Sequence, residues 1–197
     1  MTIIELGEFL GSGMERKCFA NPHNASSCYK ISLKNQSKQT IREVHYFKYL
    51  QKKNINPSFM PKFLNFFELE DKFILEQERI RTTHSKTVIL LREFLTTATK
   101  SDILALKRKL LEIKREMLDL NVIVSDMRPT NSFVILENKA ITRIVFFDGY
   151  GPPTLIPLDK YFKFFGNQKI NRQWDKFIKK INLETPSSLK EIWEKDI

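Results

Sequence analysis

Asp126 and Asn131 are separated by four residues in Val124-Ser125-Asp126-Met127-Arg128-Pro129-Thr130-Asn131, and Asp148 ends the apolar run Val145-Phe146-Phe147 just before Gly149. Asn131 and Asp148 carry hard oxygen donors, the type that holds a divalent cation such as magnesium. The Asp126 carboxylate can instead take the proton of an attacking hydroxyl. Arg128, two places after Asp126, stands where a cation could steady a transferring phosphoryl group. A base, two metal ligands and a cation are what phosphoryl transfer asks of a protein. Taken alone, Asp148-Gly149 reads as a turn.

A second group lies near the start of the chain, in Leu10-Gly11-Ser12-Gly13-Met14-Glu15-Arg16. Here Gly11, Ser12 and Gly13 would let backbone N–H groups approach phosphate without interference from Cβ atoms. A dinucleotide-binding turn would need a helix to follow directly, and the chain returns as a strand instead. An ordinary hairpin turn explains the same residues. Lys30 sits in the apolar strand Cys28-Tyr29-Lys30-Ile31, where an ammonium is costly unless paired. Glu43 falls on the helical arc between Phe47 and Leu50, so its carboxylate wants a cation, with Lys30 the obvious candidate. For each of the two separately, a snorkelling or solvated side chain is the plain alternative.

These residues need elements to position them. β-prone runs at Ile3 to Leu10, Lys17 to Ala20 and Cys28 to Leu33 are cut by Gly, Asn, Pro and Ser. A helix follows at about Gln39 to Lys52, with Ile41, Val44, Phe47 and Leu50 apolar, and Asn54 to Pro61 breaks it. Phe63 to Glu68 and Lys72 to Glu78 read as two strands about the turn Glu70-Asp71. Beyond Arg81 the character changes. A long amphipathic helix is expected from Ser101 to Leu120, with Ser101 as N-cap and Asp102 suiting the helix dipole. Two short strands, Ser132 to Leu136 and Ile141 to Phe147, flank the turn Glu137-Asn138-Lys139. From Leu158 onward the chain is basic, aromatic and helical in pattern.

The order in which the motifs occur carries the most information. A glycine loop, a strand lysine, a helix glutamate, Asp-x4-Asn and a strand-terminal Asp follow one another as in protein kinases, each on the element its role requires. The expected fold is α+β: a minimal protein-kinase-like bilobal fold with an antiparallel N-lobe sheet and one helix in residues 1–80, and a small, mostly helical C-lobe in residues 81–197.

Arg16-Lys17-Cys18-Phe19-Ala20-Asn21-Pro22 before Cys28-Tyr29-Lys30-Ile31, with Thr154-Leu155-Ile156-Pro157-Leu158 and Arg172-Gln173-Trp174-Asp175-Lys176-Phe177-Ile178 later, resembles the YrbL family. These are small bacterial kinase-like proteins linked by name to the PhoP regulatory network, and the resemblance runs from about Leu10 to Ile181. It implies a protein-kinase-like fold and use of ATP. Carried over, Gly11, Ser12 and Gly13 would cover the phosphates, Lys30 would contact the α- and β-phosphates, and Glu43 would orient Lys30. Asp126 would be the base, with Asn131 and Asp148 as magnesium ligands. The hinge gripping adenine would lie near Glu76-Gln77-Glu78, so Glu76 and Glu78 join the cofactor residues. Three departures stand out: Arg16 in the neighbourhood of the third glycine, Val124 where protein kinases usually have His, and Asp148-Gly149-Tyr150 for the Asp-Phe-Gly triplet.

Composition bounds the rest. The chain of 197 residues has two cysteines at no metal-ligand spacing, lacks a basic leader at its start, and has no apolar run near the roughly 20 residues that span a bilayer. A cytoplasmic protein with reduced thiols is expected. Its net charge of +10 favours anionic partners, although many small basic proteins have none. Only about 50 residues follow Asp148, and Gly151-Pro152-Pro153 allows only a short activation-type loop, which favours a small-molecule or anionic glycan acceptor over a protein. Lys160, Lys163, Lys169, Arg172, Lys176, Lys179 and Lys180, interleaved with Tyr161, Phe162, Phe164, Phe165, Trp174 and Phe177, mark the tail as the place to look for it. Helices with aromatics inward and lysines outward explain the same pattern, and contact with an anionic membrane surface is a further reading. Two rivals stay open: a pseudokinase that binds nucleotide as a regulatory module, and a basic nucleic-acid-binding protein, for which no recognised motif appears.

Overall fold

Short β-branched and aromatic runs punctuated by turn formers make the first third of the chain a sheet. The computed structural model describes residues 4–151 and 162–193. It divides the chain into two compact units, Met1–Asn56 with Pro61–Ile80, and Pro57–Met60 with Arg81–Ile197. Both are mixed α and β, with antiparallel sheets.

In the first unit, β1 (Phe9–Ser12), β2 (Lys17–Ala20), β3 (Ser27–Leu33), β4 (Phe63–Glu68) and β5 (Lys72–Glu78) form one antiparallel sheet in the order β1-β2-β3-β5-β4. The first strand starts later than Ile3 and takes in Gly11 and Ser12. An irregularity in the β1–β2 register falls between Phe9 and Gly11, where Gly11 has φ +153, a backbone that side-chain-bearing residues rarely adopt. Helix α1 (Lys38–Lys52) packs against β5 and buries Val44, Phe47 and Leu50, with the Phe47 ring stacked on Phe63 at 5.4 Å. Ile41, expected with that apolar stripe, is 37% exposed. The arc is narrower than the sequence pattern, and Glu43 lies inside it.

The second unit contains β6 (Thr87–Leu90), β7 (Ser132–Glu137) and β8 (Ala140–Phe146), paired antiparallel in that order. Helices α2 (Leu91–Thr97), α3 (Lys100–Leu120) and α4 (Lys163–Glu184) belong to the same unit. The helix cap differs from the expectation. Thr99, not Ser101, caps α3 in a full capping box, its side chain accepting from the Asp102 N–H while Asp102 accepts from the Thr99 N–H. One residue of helix before Ser101 moves that serine into the first turn. Ile103, Leu106, Leu110, Ile113 and Met117 form the buried stripe, and Asn121 ends the helix in the left-handed region at φ 53. The short segment Pro57–Met60 belongs here: Phe59 O accepts from Phe146 N at 2.9 Å, and Arg143 donates to the Ser58 and Met60 carbonyls at 2.7 Å each.

Helix α4 buries Ile170, Trp174, Phe177 and Ile181 at spacings of four, three and four, one face of a helix. Trp174 and Phe177 point inward as expected, whereas Phe162, Phe164 and Phe165 are 56%, 68% and 47% exposed. Those three precede or begin the helix and lie off the buried arc. Thr154 to Leu158, Lys160, Tyr161 and Pro152-Pro153 fall outside the described residues. No described helix is long and apolar enough to cross a membrane.

Candidate functional site

The second unit folds Asp126, Asn131 and Asp148 to one place, and backbone hydrogen bonds do the positioning. Ser125 N donates to Gly149 O at 2.7 Å and Phe147 N donates to Asn131 O at 3.1 Å, pinning the Asp126 and Asn131 segment along the chain that carries Asp148. Val124 and Tyr150 form a β-bridge beside them, both fully buried, and the Tyr150 hydroxyl donates to Phe146 O. Ser125 Oγ adds a 2.6 Å bond to Gly151 O. Val124 thus holds the loop by backbone pairing and burial, where a histidine would use its ring.

Side chains complete the cluster. Asn131 Nδ2 donates to Asp126 Oδ2 at 3.2 Å, and Arg128 Nε donates to Asp126 Oδ1 at 2.5 Å. The amide nitrogen of Asn131 is therefore turned to Asp126, which directs its carbonyl oxygen elsewhere. Asp148 accepts from its neighbour Gly149 N at 2.8 Å. Gly149 adopts φ +83, and a Cβ there would stand 2.7 Å from the Asp126 Cβ, so only glycine fits. The site is partly wet, with the Asp126 side chain 38% and the Arg128 side chain 54% exposed. Lys180 Nζ, from α4, donates to Met127 O at 3.2 Å and ties the basic helix to this loop.

Two carboxylates and an amide oxygen are hard donors, the set that suits magnesium, which keeps waters and substrate phosphates as its other ligands. Among the described residues there is no cluster of three or more His, Cys, Asp or Glu of the kind that cages a metal by protein alone.

In the first unit, Lys30 is buried in β3, opposite Cys18 on β2 and Leu75 on β5. Glu43 is completely buried on α1 and pairs with Arg16, whose Nη1 donates to Oε2 at 2.5 Å and Nη2 to Oε1 at 3.4 Å. Sequence reasoning singled out Arg16 only as a departure from a glycine pattern. The signal that pointed to it was a buried carboxylate 27 residues away. Gly13 N donates to Arg16 O at 2.8 Å, closing the turn that carries it. Glu76 spends its carboxylate on Asn21 Nδ2 at 3.0 Å and Ser27 Oγ at 2.8 Å. Glu78 N donates to Lys62 O and Arg79 N to Ser26 O, both at 2.8 Å, so the N–H groups at this end of β5 serve the sheet.

The comparisons with known proteins agree on one family. The family described as PhoP regulatory network protein YrbL matches residues 4–182. The Escherichia coli (strain K12) protein described as "Uncharacterized protein YrbL" is 30% identical over 175 residues, 86% of this chain and 82% of its own. The Shigella flexneri protein of the same description gives the same identity and coverage. A family match over nearly all of the described residues, with relatives aligned along most of their own length, means that the chain belongs to the PhoP regulatory network protein YrbL family.

Proposed function

We propose that this protein is an ATP- and magnesium-dependent phosphotransferase of protein-kinase-like fold, acting on a small-molecule or glycan hydroxyl. The convergence of Asp126, Asn131 and Asp148 carries the reading. Three residues spread over 23 positions are brought to one loop cluster by backbone bonds. Asp126 is assigned the proton of the acceptor hydroxyl. Asn131 Oδ1 and the Asp148 carboxylate would hold magnesium, which when bound neutralises charge on the β- and γ-phosphates. Arg128, which donates to Asp126, is assigned to steady the transferred group. In the first unit, the Gly11 to Gly13 turn and Lys30 are assigned to the nucleotide phosphates. Catalysis on this reading is positioning and charge neutralisation, since phosphoryl transfer needs little covalent help.

Titration calorimetry with ATP, with and without magnesium, on wild type and Asp148→Asn tests the reading. Magnesium-dependent binding that the variant loses supports it and justifies a screen of glycan acceptors. Binding indifferent to both magnesium and Asp148 removes it.

One observation favours a second reading, a nucleotide-binding pseudokinase. Both oxygens of Asp126 are engaged, by Arg128 and Asn131, leaving the carboxylate less available as a base. Tight ATP binding with neither transfer nor hydrolysis would select this reading.

A further inference from the structure

Both cysteines of the chain come together on one face of the first sheet. Cys18 on β2 is directly opposite Lys30 on β3, and Ala20 is opposite Cys28. Side chains alternate along a strand, so this register places Cys18, Cys28 and Lys30 on the same face. The Cys28 thiol stands beside Cys18 on this face and donates to the Glu78 carbonyl at 3.9 Å. Cys28 is buried, whereas Cys18 is half-buried and open to small reagents. Neither thiol has a part in the phosphotransfer chemistry.

Charge on this face favours a thiolate at Cys18. The hydrogen bond from Cys28 is the largest influence, and Lys30, Arg16 and Arg79 add positive charge. Against the opposing effect of burial, they bring the Cys18 thiol down to about 7. The same hydrogen bond, with burial, pushes Cys28 up, so Cys28 stays protonated as the donor. A partly exposed thiolate among cations is the setting of reactive cysteines, whereas buried protonated thiols are inert.

We propose that Cys18 is a modification site for peroxide-class oxidants, placed beside Lys30 so that oxygen added to its sulfur excludes nucleotide phosphate from this sheet face. The second half rests on the nucleotide reading above; the first does not. The Cys18 thiolate attacks one oxygen of a hydroperoxide, forming an S–O bond as the O–O bond breaks. The departing oxygen takes a solvent proton and leaves as water or alcohol. Sulfur gives up two electrons and the peroxide accepts them, leaving a sulfenic acid on Cys18. A bulkier, polar group then stands directly across from Lys30.

The test treats the full chain with hydrogen peroxide in the presence of dimedone, which traps sulfenic acids, and maps the adduct by peptide mass spectrometry. Wild type should carry the adduct on Cys18, or a Cys18–Cys28 disulfide formed from the same sulfenic acid. In Cys28→Ala, which lacks the neighbouring thiol that can condense with the sulfenic acid to a disulfide, the dimedone adduct should still form on Cys18. Cys18→Ser should carry none. An adduct on Cys28, or no oxidation of Cys18 in either wild type or Cys28→Ala, would overturn the assignment. Saturating ATP with magnesium should slow labelling of wild-type Cys18. If the labelling pattern appears but ATP leaves its rate unchanged while calorimetry shows ATP bound, the competition with nucleotide is wrong and the oxidation site stands. If calorimetry shows no ATP bound either, it is the nucleotide reading that has failed.

Discussion

Gly149 and Asp126 are in backbone contact so close that a methyl group on the first would overlap the second, at 2.7 Å from its Cβ. The glycine also sits at φ +83, where a side chain is strained regardless of space. Gly149→Ala should therefore lower unfolding free energy by about 1–3 kcal/mol and displace Asp126. If Asp126 is the base, a shift of this kind costs on the order of a hundredfold in turnover. Gly13→Ala is the control: its added Cβ meets nothing within 4 Å, and its stability change should stay within about 0.5 kcal/mol. Urea denaturation of both variants reads the difference, and equal midpoints would remove the steric argument.

The Arg16–Glu43 pair is buried, with the two side chains 7% and 0% exposed. Removing one member of a buried pair strands charge in a dry setting, so Arg16→Ala should destabilise by about 2–4 kcal/mol. Arg16→Lys should recover only part of this, because an ammonium cannot repeat the two-armed contact. Stability measured by denaturation for both variants, with Glu43→Gln in a double-mutant cycle, checks the coupling.

Asp126→Asn separates base from ligand. The asparagine can still meet Asn131, and the lost partner of Arg128 is a half-exposed ion pair worth about 0–1 kcal/mol. On the phosphotransfer reading, turnover should fall by about 10²–10⁴, with ATP affinity within a factor of about two. Calorimetry beside a turnover assay decides it; unchanged turnover would show that Asp126 is not the base.

The Thr99 side chain and N–H, the larger influence first, hold the Asp102 carboxyl below its ordinary value. A carboxylate depressed in the folded state adds stability that is present above its unfolded pKa and lost as pH falls through the folded value. Helix α3 should therefore weaken on acidification below about pH 4, and Thr99→Ala, costing about 1 kcal/mol at neutral pH, should flatten that dependence. Thermal unfolding of both proteins between pH 3 and pH 7, a range spanning roughly the carboxylate region, measures the difference. Parallel curves would mean the cap contributes no pH-dependent stability.

Local pattern was enough for much of the fold and for part of the candidate site. The buried stripe of α3 from Ile103 to Met117, the β7–β8 hairpin with its Asn138 turn, strands β2, β3, β4 and β5, and the presence of Glu43 on the inward arc of α1 all follow from periodicity and turn chemistry that act within a few residues. The spacing of Asp126, Asn131 and Asp148 is likewise written in the chain. Tertiary structure decided the rest, because those choices weigh contacts between distant residues. Burial of Glu43 drew in Arg16 from 27 positions away. The β6 strand, which too weak an alternation hid, exists by pairing with β7. Phe59 attached Pro57–Met60 to the second unit through Phe146, although its neighbours on both sides belong to the first. Cys18 and Cys28 show no ligand spacing in sequence, and only the β2–β3 register, set by which face of the sheet is buried, brings them together beside Lys30.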